Sequence, residues 1–123
     1  MLLKSNFYSF SVIEQKEAGS FFLRLHFNKL HPIFNGHFPN NPVVPGVTIV
    51  QILKEVIESL IEKNIRLEKL SLIKFLKVID PTNQSDFSLQ VVLQIEDSHI
   101  KCEAQISDDT ATYFKMKSAY NIL

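Results

Sequence analysis

The sequence predicts an α+β domain in which antiparallel strands cover one long helix. Three observations carry this. One segment, roughly Gly46 to Lys63, has apolar residues at helical spacing, whereas the runs before and after it alternate with a period of two. The helix is apolar over so wide an arc that it must be enclosed, and sheet is the only other structure available to enclose it. The 123 residues suffice for a single core, so one domain spanning 1–123 is expected.

The elements follow in order. Tyr8, Phe10 and Val12 alternate with Ser9 and Ser11, and Phe21, Leu23, Leu25 and Phe27 alternate with Phe22, Arg24, His26 and Asn28. Both read as half-buried antiparallel strands joined by a hairpin at Glu17-Ala18-Gly19-Ser20. In the helix, Ile49, Val50, Ile52, Leu53, Val56, Ile57, Leu60 and Ile61 form the apolar arc. Gln51, Lys54, Glu55, Glu58 and Glu62 form the remaining stripe, expected to be a solvated helix edge or a subunit rim, and Asn64 is the expected stop. Four strands follow: Lys69 to Ile79, Phe87 to Ile95, Ile100 to Ile106, and Ala111 to Tyr120. Asp97-Ser98 and Asp108-Asp109 supply tight turns between them.

Composition narrows the chemistry. Thirteen basic side chains balance thirteen acidic ones, which argues against broad electrostatic binding of nucleic acid. A single cysteine, Cys102, excludes an internal disulfide and a cysteine-based zinc site; it alternates with Ile100 and Ala104 and reads as a buried core thiol. No two of the four histidines have i, i+4 spacing for a helical metal site, and no Ser-centred elbow or Gly-rich phosphate loop occurs. The start of the chain turns polar too soon for a signal peptide, and no window approaches the ~20 apolar residues that span a bilayer, so a cytoplasmic protein with no membrane partner is expected.

The informative stretch lies between the second strand and the helix. Residues 32–46 hold two of the three glycines and four of the five prolines, together with Ile33, Phe34, Phe38, Val43 and Val44. Prolines at that density forbid a regular helix or central strand, and the apolar residues demand packing. A rigid apolar loop of this kind is suited to holding a site.

Asn35-Gly36-His37-Phe38-Pro39-Asn40-Asn41-Pro42-Val43-Val44-Pro45-Gly46-Val47 resembles the active-site signature of the 3-hydroxyacyl-ACP dehydratases of fatty-acid synthesis. Pro32-Ile33-Phe34 and Lys74-Phe75 are similar to further segments of that family. The resemblance implies a hot-dog fold, a curved antiparallel sheet of five to six strands around one long central helix. It implies dehydration of a 3-hydroxyacyl thioester carried by acyl carrier protein to the trans-2-enoyl thioester. His37 would match the base that removes the C2 proton. Gly46 would match the helix-start N–H that polarises the thioester carbonyl, where helix N-termini offer unpaired donors. Phe34, Phe38, Val43, Pro45 and Val47 would bind the substrate. No cofactor and no metal is implied, because the thioester itself acidifies the C2 proton. A homodimer or higher oligomer is implied, with sites at the interface.

The departure is Gln51, which stands fourteen residues after His37 where the family carries Glu or Asp. An amide does not donate and recover a proton as a carboxyl group does. Gln51 then either holds the hydroxyl or a water for His37, or is a residue of the polar stripe with no role in the reaction. Two other functions keep the same fold: a non-catalytic acyl-thioester-binding or heterodimer-partner subunit, and a thioesterase, which Gln51 disfavours. His31 is either a site residue or a plain loop residue, while His26 and His99 are expected on the surface.

Overall fold

The computed structural model describes residues 6–32 and 43–123. Among these residues, six strands and one helix follow the predicted order: β1 (Tyr8–Glu17), β2 (Ser20–Phe27), α1 (Gly46–Ile61), β3 (Ile65–Phe75), β4 (Asp86–Glu96), β5 (His99–Ser107) and β6 (Thr112–Ile122). All pairings are antiparallel and form a single curved sheet in the order β1-β2-β4-β5-β6-β3.

Register explains why one face of this sheet is apolar. Leu89 lies opposite Ile106 and Ile106 opposite Phe114, and in the next row Val91, Ala104 and Met116 align in the same way. Leu23 pairs with Leu89 and Leu25 with Phe87, which continues the surface onto β2. Because strand side chains alternate, these rows all face one side. They meet Ile49, Ile52, Leu53, Val56 and Ile57 of α1, all buried. Each such side chain contributes about 1.5–3 kcal/mol on burial.

Turn chemistry sets the connections. The β1–β2 hairpin turns at Ala18-Gly19, and Gly19 has φ 86°. A Cβ there would run into the Leu93 carbonyl oxygen, whose residue also donates its N–H to the Gly19 carbonyl at 2.7 Å. Asp97, with φ 56°, serves the two-residue β4–β5 turn. Asp108 accepts the Thr110 and Ala111 amides at 2.9 Å, and its other oxygen takes the Tyr113 hydroxyl at 2.6 Å.

Three boundaries differ from expectation. The helix stops at Ile61, not near Lys63, because Glu62 adopts a left-handed conformation (φ 56°) and donates its N–H to the Glu58 carbonyl. The Glu58 carboxylate then accepts the Ile65 N–H at 2.9 Å, starting β3 four residues earlier than Lys69. That strand ends at Phe75 and not at Ile79, since the Leu76 and Lys77 amides both converge on the Tyr113 carbonyl and exhaust the ladder.

Polar groups inside the core are paired: among the described residues no buried side-chain nitrogen or oxygen lacks a hydrogen-bond partner. Cys102 is buried as predicted, opposite Ser118, whose hydroxyl donates to the Tyr120 hydroxyl at 3.2 Å. Burial pushes both the Cys102 thiol and the Tyr120 phenol up to about 12, from ordinary values of 9.0 and 10.0. Both groups are neutral acids, so the fold retains protons that the unfolded chain releases. Their stabilisation is complete below pH 9 and drains away as the pH rises toward about 12. Urea midpoints across that window should therefore fall steadily, and should fall less steeply in Cys102→Ala; a flat midpoint would contradict the burial of these groups.

Candidate active site

The helix start is the first part of the site. Pro45 is the N-cap residue, with extended backbone (φ −64°, ψ 148°) and no side-chain cap. Its carbonyl accepts the Thr48 and Ile49 amides at 3.0 and 3.2 Å, which launches the helix. The Val44 N–H donates to the Ile79 carbonyl at 2.9 Å and ties the incoming segment to the chain beyond β3. The first amides of a helix have no intrahelical acceptor and lie at its positive end, and Gly46 is the first helical residue.

A cleft of about 310 Å³ opens at this point. Val43, Pro45, Gly46, Phe75, Val78 and Phe114 are among the residues that line it. Val43, Pro45 and Gly46 are thus brought together as the sequence suggests. Val47 is not part of this lining, and its side chain is 81% exposed. His37, Phe34 and Phe38 lie outside the described residues.

Phe75 occupies the approach to Gly46. A Cβ on Gly46 would sit 2.5 Å from the tip of the Phe75 ring, so this glycine gives way to an aromatic ring before it gives way to any ligand. Phe75 packs on Phe114 at 5.3 Å between ring centroids, yet remains 58% exposed. Gly46→Ala should cost about 1 kcal/mol through this overlap, the low end for overpacking because the ring is free to tilt. Measured by urea unfolding, the cost should vanish in a Phe75→Ala background; an equal cost in both backgrounds would mean the ring is not the obstacle.

One turn into the helix lies a polar cluster. Gln51 Nε2 donates to Glu55 Oε2 at 2.7 Å, and the Tyr8 hydroxyl donates to Glu55 Oε1 at 3.0 Å. Glu55 is only 3% exposed and Tyr8 1%. The expectation that the whole acidic stripe is solvated is therefore corrected at Glu55. At ~100° per residue Glu55 lies only about 60° from Ile52, at the margin of the stripe, and β1 closes over that margin. A buried carboxylate needs partners to offset its lost hydration, and Tyr8 and Gln51 supply them. Burial, and then the charge and hydrogen bond of Glu55, push the Tyr8 phenol far above its ordinary 10.0, so it stays a neutral donor.

The remaining histidines are placed simply. His26 is exposed and shares a 2.8 Å hydrogen bond with Asp86, and His99 is exposed near Glu68 at 3.9 Å. His31 is part-buried and meets the Phe7 ring edge to face at 5.2 Å. Among the described residues no three His, Cys, Asp or Glu side chains are grouped to hold a metal ion, and no helix is long and apolar enough to cross a membrane.

Glu55, Tyr8 and Phe75 stand at or near the candidate site but are not among the residues that the sequence assigns to it, although Lys74-Phe75 is marked by its likeness to a family segment. Glu55 carried a signal, its i, i+4 spacing from Gln51 beside the apolar arc. Tyr8 carried none beyond strand alternation, because its partner is 47 residues away.

Comparison with known proteins places the fold and the family. The 3-hydroxyacyl-(acyl-carrier-protein) dehydratase FabZ of Lactobacillus helveticus (strain DPC 4571) is 34% identical over 86 residues, which cover 63% of this chain and 58% of that protein. The chain thus spans less than two thirds of that relative's length. Among solved structures, the dehydratase heterocomplex ApeI:P from Xenorhabdus doucetiae superposes with a TM-score of 0.70 at 18% identity, over 90% of this chain and 96% of that one. An uncharacterized protein from Erwinia carotovora subsp. atroseptica superposes with a TM-score of 0.66 at 17% identity, over 93% of each chain. These likenesses share the hot-dog fold. Residues 13–116 match the ApeI-like family, described as ApeI dehydratase, and the chain belongs to that family.

Proposed function

We propose that this chain dehydrates 3-hydroxyacyl thioesters on acyl carrier protein to trans-2-enoyl thioesters. The observation that carries the reading is a helix-start glycine with an apolar cleft beside it, directly after the His37 loop sequence. The Gln51–Glu55 pair lies further along α1, outside the lining of that cleft. In this reading the acyl chain enters the cleft and the Phe75 ring tilts aside. The thioester carbonyl then accepts the Gly46 N–H, which stabilises the enolate as His37 removes the C2 proton. The C3–O bond breaks, and the proton held by His37 passes to the departing hydroxyl, so water leaves and the imidazole returns to its neutral form. Gln51 holds the hydroxyl. No redox change occurs, and no cofactor takes part.

The described surface suggests how two copies meet. β3 is an edge strand, and Leu67, Leu70, Ile73 and Phe75 along it, with Leu76 and Val78 beyond, are all exposed apolar residues. An open apolar edge invites pairing with another strand. We assign it to a homodimer contact with a second copy of this chain. Leu70→Asp should shift the species seen in sedimentation toward monomer; a wild-type chain that is already monomeric at micromolar concentration would remove this assignment.

A second reading follows from Gln51 itself: an acyl-thioester-binding subunit whose partner supplies the carboxylate. Following the enoyl absorbance separates the two. Wild type should turn over 3-hydroxyacyl thioesters, and His37→Ala should lose at least ~10²-fold in rate. Absent turnover by wild type alone, with turnover restored by a carboxylate-bearing homologue, would favour the subunit reading.

A further inference from the structure

We infer that Glu55 is a positioning residue that sets the orientation of the Gln51 amide, and that Tyr8 anchors Glu55 for this task. The inference rests on the reading of Gln51 as the hydroxyl holder and concerns how an amide performs it.

A glutamine amide has two faces of opposite character, a donor NH2 and an acceptor carbonyl, and it can be turned over at little steric cost. Which face meets a substrate depends on the fixed partner at the other end. One such partner is the Glu55 carboxylate, an acceptor for Nε2 at 2.7 Å. Glu55 takes Nε2 on one oxygen and the Tyr8 hydroxyl on the other, so it is the acceptor in both contacts; the NH2 group turns toward Glu55 and the carbonyl oxygen to the opposite edge of the amide. A 3-hydroxyl donating its proton to that oxygen would be held with its own oxygen lone pairs directed away from Gln51, ready to receive a proton from the base. The opposite amide orientation would occupy those lone pairs.

Glu55 can perform this task only if it is itself fixed. Its other oxygen takes the Tyr8 hydroxyl at 3.0 Å, and both residues are buried. Tyr8 begins β1, and its ring stacks on Phe10 with centroids 6.5 Å apart. The arrangement thus runs from strand to carboxylate to amide, one donor at each step. It also changes the meaning of the obvious reversion. Gln51→Glu alone would set two carboxylates one hydrogen bond apart, a pair that shares a proton and titrates in two coupled steps. Gln51→Glu with Glu55→Gln keeps one carboxylate and one amide, with their places exchanged.

The test measures binding of a 3-hydroxybutyryl and a butyryl pantetheine thioester to each purified chain, with turnover followed separately. Turnover reads the dehydratase proposal, and the ratio of the two affinities reads this one. Wild type should prefer the hydroxylated ligand by about tenfold, the worth of one good hydrogen bond. Glu55→Gln and Gln51→Ala should each abolish the preference, and Glu55→Gln should add nothing in the Gln51→Ala background. Tyr8→Phe, which keeps the ring, should weaken the preference and carries the test if Glu55→Gln does not fold. For catalysis, Gln51→Glu should show an extra limb in its pH–rate profile that the exchanged double variant lacks. A wild-type chain without hydroxyl preference, or a Glu55→Gln or Tyr8→Phe variant that retains it, overturns the inference whether or not the chain turns over substrate.

Discussion

The arc of apolar residues on α1 is the constraint from which the architecture follows. A helix whose Ile49, Ile52, Leu53, Val56 and Ile57 all need cover cannot rest on a flat sheet, which would shield one side only. The sheet has to bend around it, and the aligned rows running from β2 through β4 and β5 to β6 provide a continuous apolar lining for that bend. The helix then threads the sheet with one end at the cleft and one polar margin against β1.

That enclosure prepares the chemistry. Because the helix is held along its length, its first turn is fixed in direction, which in the proposed reaction aims the Gly46 N–H at the thioester carbonyl. Because β1 shuts one margin, the Glu55 carboxylate is buried beside the part-buried Gln51 amide one turn away, where hydrogen bonds have more influence than in water. The same packing that stabilises the fold thus sets the polarity of the site. The cost is a buried carboxylate, offset by Tyr8, whose phenol the surroundings keep protonated.

Much of this was legible in the sequence, for reasons that differ by residue. Alternation and helical spacing are local, so the element order and the buried state of Cys102 could be read directly. Val43, Pro45 and Gly46 could be placed together because the chain itself keeps them adjacent. The ends of β3 could not, since they depend on where the Glu58 carboxylate and the Tyr113 carbonyl happen to stand. Nor could the Tyr8–Glu55 contact, because a charge at the rim of an amphipathic stripe looks solvated until something folds over it. Val47 shows the converse, a motif position whose side chain is turned to solvent.

The position of β3 has a consequence for how the chain acquires its structure. It follows the helix at once, but among the described residues its one partner in the sheet is β6, with Ile65 opposite Ile122. On a ribosome, β3 therefore emerges before β4, β5 and β6, carrying an apolar edge with nothing to pair against. The β1–β2 and β4–β5 hairpins can form from neighbouring residues, whereas β3 waits for the strand that closes the sheet. Nascent chains of this protein should be most prone to sticking together in that interval, and the late arrival of β6 makes sheet closure the step on which a chaperone would act.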